Sequence, residues 1–265
     1  TLKNQDYSSI KKAEKLVNQS ESLYLSGNYD NLSMQQIVST CDRRFGVGAD
    51  GLIKINRHSE ADFEVDYYNS DGSKSFCGNG ARCSVAFVES LGINVSSTFF
   101  QAIDGLHHAR KDSDGLIHLE MMSVNQLLRS DEDYVLNTGS PHFCRFVKDL
   151  NQESIIDVGK AIRYSEVYKK EGINVNLIQI ENDHAISIAT YERGVENETL
   201  SCGTGATACA ITFAEQKQYI GNQVVEVKVK GGELKVSFAI DNQRRYSDIR
   251  LIGPAEFVFE GEINV

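Results

Sequence analysis

The chain has 265 residues and a formal net charge of −10, with 41% hydrophobic and 24% charged residues. Those are globular proportions, enough for one large domain or two of ordinary size. The acidic balance gives no reason to expect nucleic acid or an anionic membrane as partner, and no apolar run of about 18 residues is present to span a bilayer.

The opening 1–22 carries Lys11, Lys12 and Lys15 without an apolar core, so no secretory signal is expected there. The cysteines are Cys41, Cys77, Cys83, Cys144, Cys202 and Cys209. None forms a C-x-x-C pair and the histidines are scattered, which argues against a metal site. Without a signal the thiols are expected to stay reduced, as in the cytoplasm.

Along the chain, 1–19 has helix-like composition and 26–30 is a turn-rich loop. A helix is predicted over 32–44 on the spacing of Leu32, Ile37, Val38 and Cys41. A short strand follows at Gly51–Asn56. In 63–68, Phe63, Val65 and Tyr67 alternate with Glu64, Asp66 and Tyr68, the period of a half-buried strand. A turn at Asn69-Ser70-Asp71-Gly72 leads to Cys77 and a helix that Gly92 should cap. Strands are predicted at 115–121, 134–136 and 144–147, a helix at 154–161, and a strand pair at Asn174–Ile180 and 184–191. After a second cysteine-led helix, 225–230 and 234–240 alternate across Gly231-Gly232, a hairpin signal.

Two stretches in opposite halves are nearly the same. Cys77-Gly78-Asn79-Gly80-Ala81 matches Cys202-Gly203-Thr204-Gly205-Ala206 at four of five positions, at an offset of 125 residues. Downstream, Ala81, Val85 and Val88 align with Ala206, Ala210 and Phe213, the i, i+4, i+7 stripe of a packed helix. The expected fold class is therefore α+β: two pseudo-twofold-related domains, each a curved, mostly antiparallel sheet around a central helix. The expected domains are 1–122 with Cys77, 123–253 with Cys202, and a terminal strand at 254–265 returning to the first. The polar stretch 123–133 is the expected boundary.

A glycine run at a helix start exposes backbone N–H groups, and the helix dipole favours an anion there. A cysteine in that setting has its thiol pKa lowered, so it can act as base and as acid. Two such mouths across one substrate carbon would remove a proton from one face and return one to the other, inverting the centre. With no cofactor motif, the carbanion must be met by preorganised N–H donors with water excluded. A lone cysteine at a helix start is usually structural, and Cys41, Cys83, Cys144 and Cys209 read as small apolar core residues. A Cys77–Cys202 disulfide would be an oxidised off-state, reversed by a reductant. Beside the second motif, Arg193 is a candidate fork for a substrate carboxylate.

At these residues the sequence closely resembles diaminopimelate epimerase. Asn69-Ser70-Asp71-Gly72-Ser73 with Cys77-Gly78-Asn79-Gly80-Ala81-Arg82-Cys83 resembles that family's first signature. Glu192-Arg193-Gly194 through Glu198-Thr199-Leu200-Ser201-Cys202-Gly203-Thr204-Gly205-Ala206 resembles its second. Gly46-Val47-Gly48-Ala49-Asp50-Gly51, Thr138-Gly139-Ser140-Pro141-His142, Asn174-Val175-Asn176 and Gly253-Pro254-Ala255 support the match. The resemblance implies a cofactor-independent epimerase that interconverts LL- and meso-2,6-diaminopimelate, on the route to lysine and peptidoglycan. It implies Cys77 and Cys202 as the acid/base pair, with Gly78, Asn79, Gly203 and Thr204 around the α-carboxylate. Asn69, Asn174, Glu192 and Arg193 would hold the distal end, with His142 near the site. A homodimer and a small-molecule substrate are implied as partners.

Two departures stand out. The family begins with an apolar strand and a Gly-Asn-Asp-Phe-like segment; 1–19 shows neither, and Gly27-Asn28-Tyr29-Asp30 is only an echo at the wrong spacing. Ser140 stands before Pro141 where many members carry Asn. Competing readings are a proline or hydroxyproline racemase, which would need no fork for a distal carboxylate, and a phenazine-type isomerase, which usually lacks the cysteine pair. A catalytically silent binding protein is the reading that the altered N-terminus favours.

Overall fold

A computed structural model of the chain describes residues 12–18, 20–26 and 32–261. These divide into two compact units. One takes the described residues up to Leu119 and from Gly253 onward; the other is Glu120–Ile252.

The first unit contains β1 (Lys12–Asn18), β2 (Ser20–Ser26), α1 (Met34–Cys41), β3 (Gly51–Asn56), β4 (Phe63–Asn69), α2 (Gly78–Ser90), β5 (Thr98–Ala102), β6 (Gly105–Lys111) and β7 (Ile117–Glu120). The second contains β8 (Leu127–Ser130), β9 (Asp133–Asn137), β10 (Pro141–Phe146), α3 (Ile155–Arg163), β11 (Asn174–Ile180), β12 (Ala185–Glu192), the two-residue β13 (Asn197–Glu198), α4 (Gly203–Gln216), β14 (Gly221–Val229), β15 (Gly232–Ile240) and β16 (Tyr246–Gly253). The last strand, β17 (Glu256–Gly261), pairs antiparallel with β1 in the first unit.

The repeat seen in the two cysteine motifs extends to whole sheets. In the first unit β17, β1, β2, β3, β4, β5, β6 and β7 pair in that order, with β2–β3 and β4–β5 parallel and the rest antiparallel. In the second, β8, β9, β10, β11, β12, β14, β15 and β16 pair in the same order, with β10–β11 and β12–β14 parallel. Parallel neighbours need a crossover, and each crossover carries a helix. These are α1 and α2 in one unit, α3 and α4 in the other. In both units the cysteine sits between the fifth strand of this repeat, β4 or β12, and the inner helix.

Each sheet has a helix on either face. Outside, α1 packs Ile37 and Cys41 on Ala49 and Leu52, while α3 sits over Phe143, Val175, Leu177 and Tyr191. Inside, α2 and α4 are almost wholly buried: Ala81, Val85, Val88, Ala206, Ala210 and Phe213 are each at most 2% exposed. A helix that is buried all round is a core element rather than an amphipathic surface one. The helix α1 begins on a reciprocal Ser33–Gln36 capping box. The helix α2 closes as predicted at Gly92, whose positive φ lets the Ile93 N–H reach the Val88 carbonyl at 3.0 Å.

One expectation is corrected. The 1–19 segment is not helical where it is described: Lys12–Asn18 is a strand, because its pairing with β2 and β17 outweighs the helix propensity of its Lys, Glu and Leu residues. The first strand is therefore present, in the place that β9 takes in the second unit. The polar stretch 123–133 contains β8, which pairs with β9. Gly27-Asn28-Tyr29-Asp30 lies outside the described residues.

Candidate active site

Both cysteines are the N-caps of their helices, in almost the same backbone conformation: φ −128°, ψ 114° at Cys77 and φ −119°, ψ 113° at Cys202. The carbonyls of Cys77 and Cys202 accept the first helical bonds from Ala81 and Ala206, each at 2.8 Å. That leaves the amides of residues 78 and 79, and of 203 and 204, in the first turn, where a helix has no internal acceptor for them. The sulfurs differ. Cys77 Sγ accepts from the Gly80 N–H at 3.4 Å, whereas Cys202 Sγ has the Thr204 hydroxyl at 3.4 Å. All six cysteines are free thiols; Cys77 is half-buried and the other five are buried.

The second glycine of each motif is required by close approach. A Cβ at Gly80 would stand 2.8 Å from the Tyr67 ring, and one at Gly205 would stand 2.8 Å from Asn176 Oδ1 and 3.3 Å from Cys202 Cβ. Over-packing of that kind costs about 1–3 kcal/mol, more than the roughly 1 kcal/mol that alanine returns in helix propensity. Gly205→Ala should therefore lower the melting temperature, and an unchanged or raised value in thermal denaturation would show the packing to be looser.

In the first unit, Asn69 ends β4 and its carboxamide is engaged in the turn that follows. Nδ2 donates to the Ser73 carbonyl (3.1 Å) and hydroxyl (3.0 Å), and Oδ1 accepts from Ser75 Oγ at 3.1 Å. Asn79 is 2% exposed, and its Oδ1 accepts from Arg82 at 3.0 Å. Arg82 is fully buried, and that burial pushes its pKa down to about 10, while the nearby Cys83 and Cys77 act to raise it. The guanidinium is thus a buried positive charge in the electrostatic reach of Cys77.

The second unit brings together most of its predicted residues. Asn174 opens β11; its Nδ2 donates to Ser140 Oγ (2.8 Å) and the Pro141 carbonyl (3.0 Å), and its Oδ1 accepts the Arg193 N–H at 2.9 Å. The exposed Arg193 guanidinium reaches the Glu171 carbonyl at 2.9 Å and Ser140 Oγ at 3.4 Å. Ser140, in the position of the second departure noted above, thus joins Asn174 to Arg193. Glu192 ends β12 and is paired in register with Asn197. Of the neighbouring acids, Glu196 anchors the loop through Gly194 N–H, Tyr164 and Tyr191, and Glu198 pairs with Lys230 at 2.5 Å. Both are structural.

Beneath the start of α4 the inner face of the sheet is polar. His142 on β10 and Asn176 on β11 are both 0% exposed, and His142 Nε2 lies 2.9 Å from Thr204 Oγ1. Burial, and then the charge of Arg193, push the His142 pKa down to about 3, so the ring is neutral. The Thr138 hydroxyl donates to the Thr204 carbonyl at 2.8 Å and fixes the backbone of the motif. Asn176 and Arg82 lie inside the motifs quoted from the sequence but were assigned no role there. The available signal was a polar residue at an inner-face position of an apolar strand, and a charged one in a helix of buried residues.

Chemically, each helix mouth offers a thiol, two first-turn amides and a buried polar support. The family model for diaminopimelate epimerase matches residues 17–116 and 134–258. The diaminopimelate epimerase of Flavobacterium psychrophilum is 47% identical over 228 residues, covering 86% of this chain and 88% of that protein. That of Chlorobaculum tepidum is 36% identical over 245 residues, covering 89% and 93%. Among solved structures, a phenazine biosynthesis protein of the PhzF family from Bacillus anthracis shares the fold with a TM-score of 0.74 at 14% identity, over 96% of this chain and 99% of that one. The repeated sheets, the matched helix-capping cysteines and these relationships place the chain in the diaminopimelate epimerase family of isomerases.

Proposed function

We propose that this protein interconverts LL- and meso-2,6-diaminopimelate without a cofactor, by two-base proton transfer between Cys77 and Cys202. The observation that carries this reading is that two thiols hold the same N-cap position in two units of the same strand order. One thiolate removes the α-proton and the other thiol returns a proton to the opposite face, so the centre inverts and the thiol pair exchanges protonation states. The amides of Gly78, Asn79, Gly203 and Thr204 meet the α-carboxylate, where charge grows as the proton leaves. Asn69, Asn174, Glu192 and Arg193 recognise the distal amino-acid end. The names of the related proteins support the choice of substrate. A homodimer in the cytoplasm, serving lysine and peptidoglycan precursor synthesis, completes the reading.

The silent-binding alternative rests on the altered N-terminus: Lys12–Asn18 supplies its strand, while the Gly-Asn-Asp-Phe-like segment has only the Gly27-Asn28-Tyr29-Asp30 echo. The test is incubation of the reduced protein with LL-diaminopimelate in heavy water, with the product followed by NMR and chiral chromatography. Deuterium is expected at the inverted carbon only. Tight binding without exchange would overturn the reading in favour of a silent binder.

A further inference from the structure

A line of hydrogen bonds in the second unit ends on Cys202, and the direction of its links as far as Thr204 is fixed by the chemistry of its inner end. Asn176 Nδ2 lies 3.0 Å from the Phe143 carbonyl oxygen, 3.1 Å from His142 Nδ1 and 3.7 Å from Cys144 Sγ. A carbonyl only accepts, so the atom facing it is the amide nitrogen, and the Thr190 hydroxyl donates to the other end, Oδ1, at 3.0 Å. An amide NH2 only donates, so His142 Nδ1 must carry no proton. The neutral ring then bears its hydrogen on Nε2, which donates to Thr204 Oγ1 at 2.9 Å. Thr204 Oγ1, having accepted from His142, keeps its own hydrogen to give, and when Cys202 is a thiolate that hydrogen goes to Sγ at 3.4 Å.

We infer that Asn176 and His142 are positioning residues that, through the Thr204 hydroxyl, keep a hydrogen-bond donor aimed at the Cys202 sulfur and so stabilise its thiolate. The His142 ring does not act as a base here. Both of its nitrogens are committed, and its burial, and then the charge of Arg193, keep it neutral. The two helix mouths thus solve the same problem differently: Cys77 takes a backbone donor from Gly80, and Cys202 takes a side-chain donor set by a buried histidine. The other titratable groups around this line in the second unit are Cys144 and Cys209, whose sulfurs are 4.0 Å apart and fully buried, and Arg193 beside His142. The electrostatic reach of Cys202 extends to Cys209.

The inference rests on Cys202 being one of the acid/base thiols, so its test uses readouts that need no turnover. The first is long-range 1H–15N NMR of the whole protein labelled at histidine, with the His142 signals assigned by their loss in His142→Gln. A neutral ring protonated on Nε2 is expected from pH 8 down to pH 5; a ring protonated on Nδ1, or one titrating near 6.5, overturns the relay. The second is the pH–rate profile of iodoacetamide alkylation at Cys202, followed by peptide mass spectrometry in a Cys77→Ser background. Thr204→Val removes the hydroxyl but keeps the side-chain shape, and should raise the midpoint by about one pH unit, the worth of one hydrogen bond to a charged acceptor. Thr204→Ser should restore the midpoint. An unmoved midpoint in Thr204→Val overturns the inference. If the neutral Nε2–H ring and the Thr204→Val midpoint shift both appear and diaminopimelate is not epimerised, the relay stands and the proposed substrate falls. If epimerisation proceeds and the Thr204→Val midpoint is unmoved, the relay alone falls.

Discussion

Cys77→Ser and Cys202→Ser are each expected to lose about 10³-fold in kcat, the usual worth of a positioned general acid or base, with KM close to that of the parent. The loss should be large because none of the described acid/base groups beside either thiol in its own unit is free to take over. A serine hydroxyl in the same place holds its proton far more tightly than a thiol. Around Cys202, His142 is neutral and bonded at both nitrogens. Cys209 is pushed well above the ordinary thiol range by burial and then by its contact with Cys144. Around Cys77, Cys83 is fully buried. The amides that would bind the α-carboxylate belong to residues 78, 79, 203 and 204 and are untouched by either substitution, which is why KM should move little. Initial rates from both the LL and the meso substrate check this. Activity within tenfold of the parent in either variant would remove that cysteine from the acid/base pair.

Much of this arrangement could be read from the residues, for a physical reason. A repeated Cys-Gly-x-Gly-Ala followed by the same apolar stripe specifies two helices with the same start and the same buried face, and those starts are the N-caps observed. Alternation located β4, the β14–β15 hairpin and the β11–β12 pair, because a half-buried strand must repeat with period two. Other strands were harder. Among the strands not foreseen are β1, β5 and β8, short segments whose state is decided by a neighbouring strand rather than by their own composition. The strand β1 is the clearest case, since its partner β17 lies at the far end of the chain. The site was legible in its chemistry-bearing residues and opaque in their support. Asn176 sits in a quoted motif, yet nothing in Asn-Val-Asn tells which asparagine turns its carboxamide beneath a helix. That follows only from the register that sets β10, β11 and β12 side by side.

The same buried histidine should also set how the fold responds to acid. An unfolded histidine takes up a proton near pH 6.5, whereas His142 in the folded chain does so only at about 3. Between those values the unfolded state binds the extra proton, so stability falls as pH falls, by up to about 1.4 kcal/mol per unit and roughly 2 kcal/mol by pH 5. Above pH 6.5 this contribution is fully present, and below about 3 its slope vanishes. The carboxylates whose pKa the fold lowers, such as Asp71 through the Ser73 hydroxyl and Asp112 through His118, act in a more acid window. The interval from 6.5 to 5 is thus the one in which His142 can be isolated. Urea unfolding at pH 7, 6 and 5 should show the parent losing stability over this interval while His142→Gln, less stable at pH 7, loses distinctly less; parallel losses would refute the assignment. Protonation would also set an Nδ1–H against the donating NH2 of Asn176, breaking the line that ends at Cys202. Acid inactivation should therefore track disruption of the second unit, rather than titration of a catalytic thiol in an intact site.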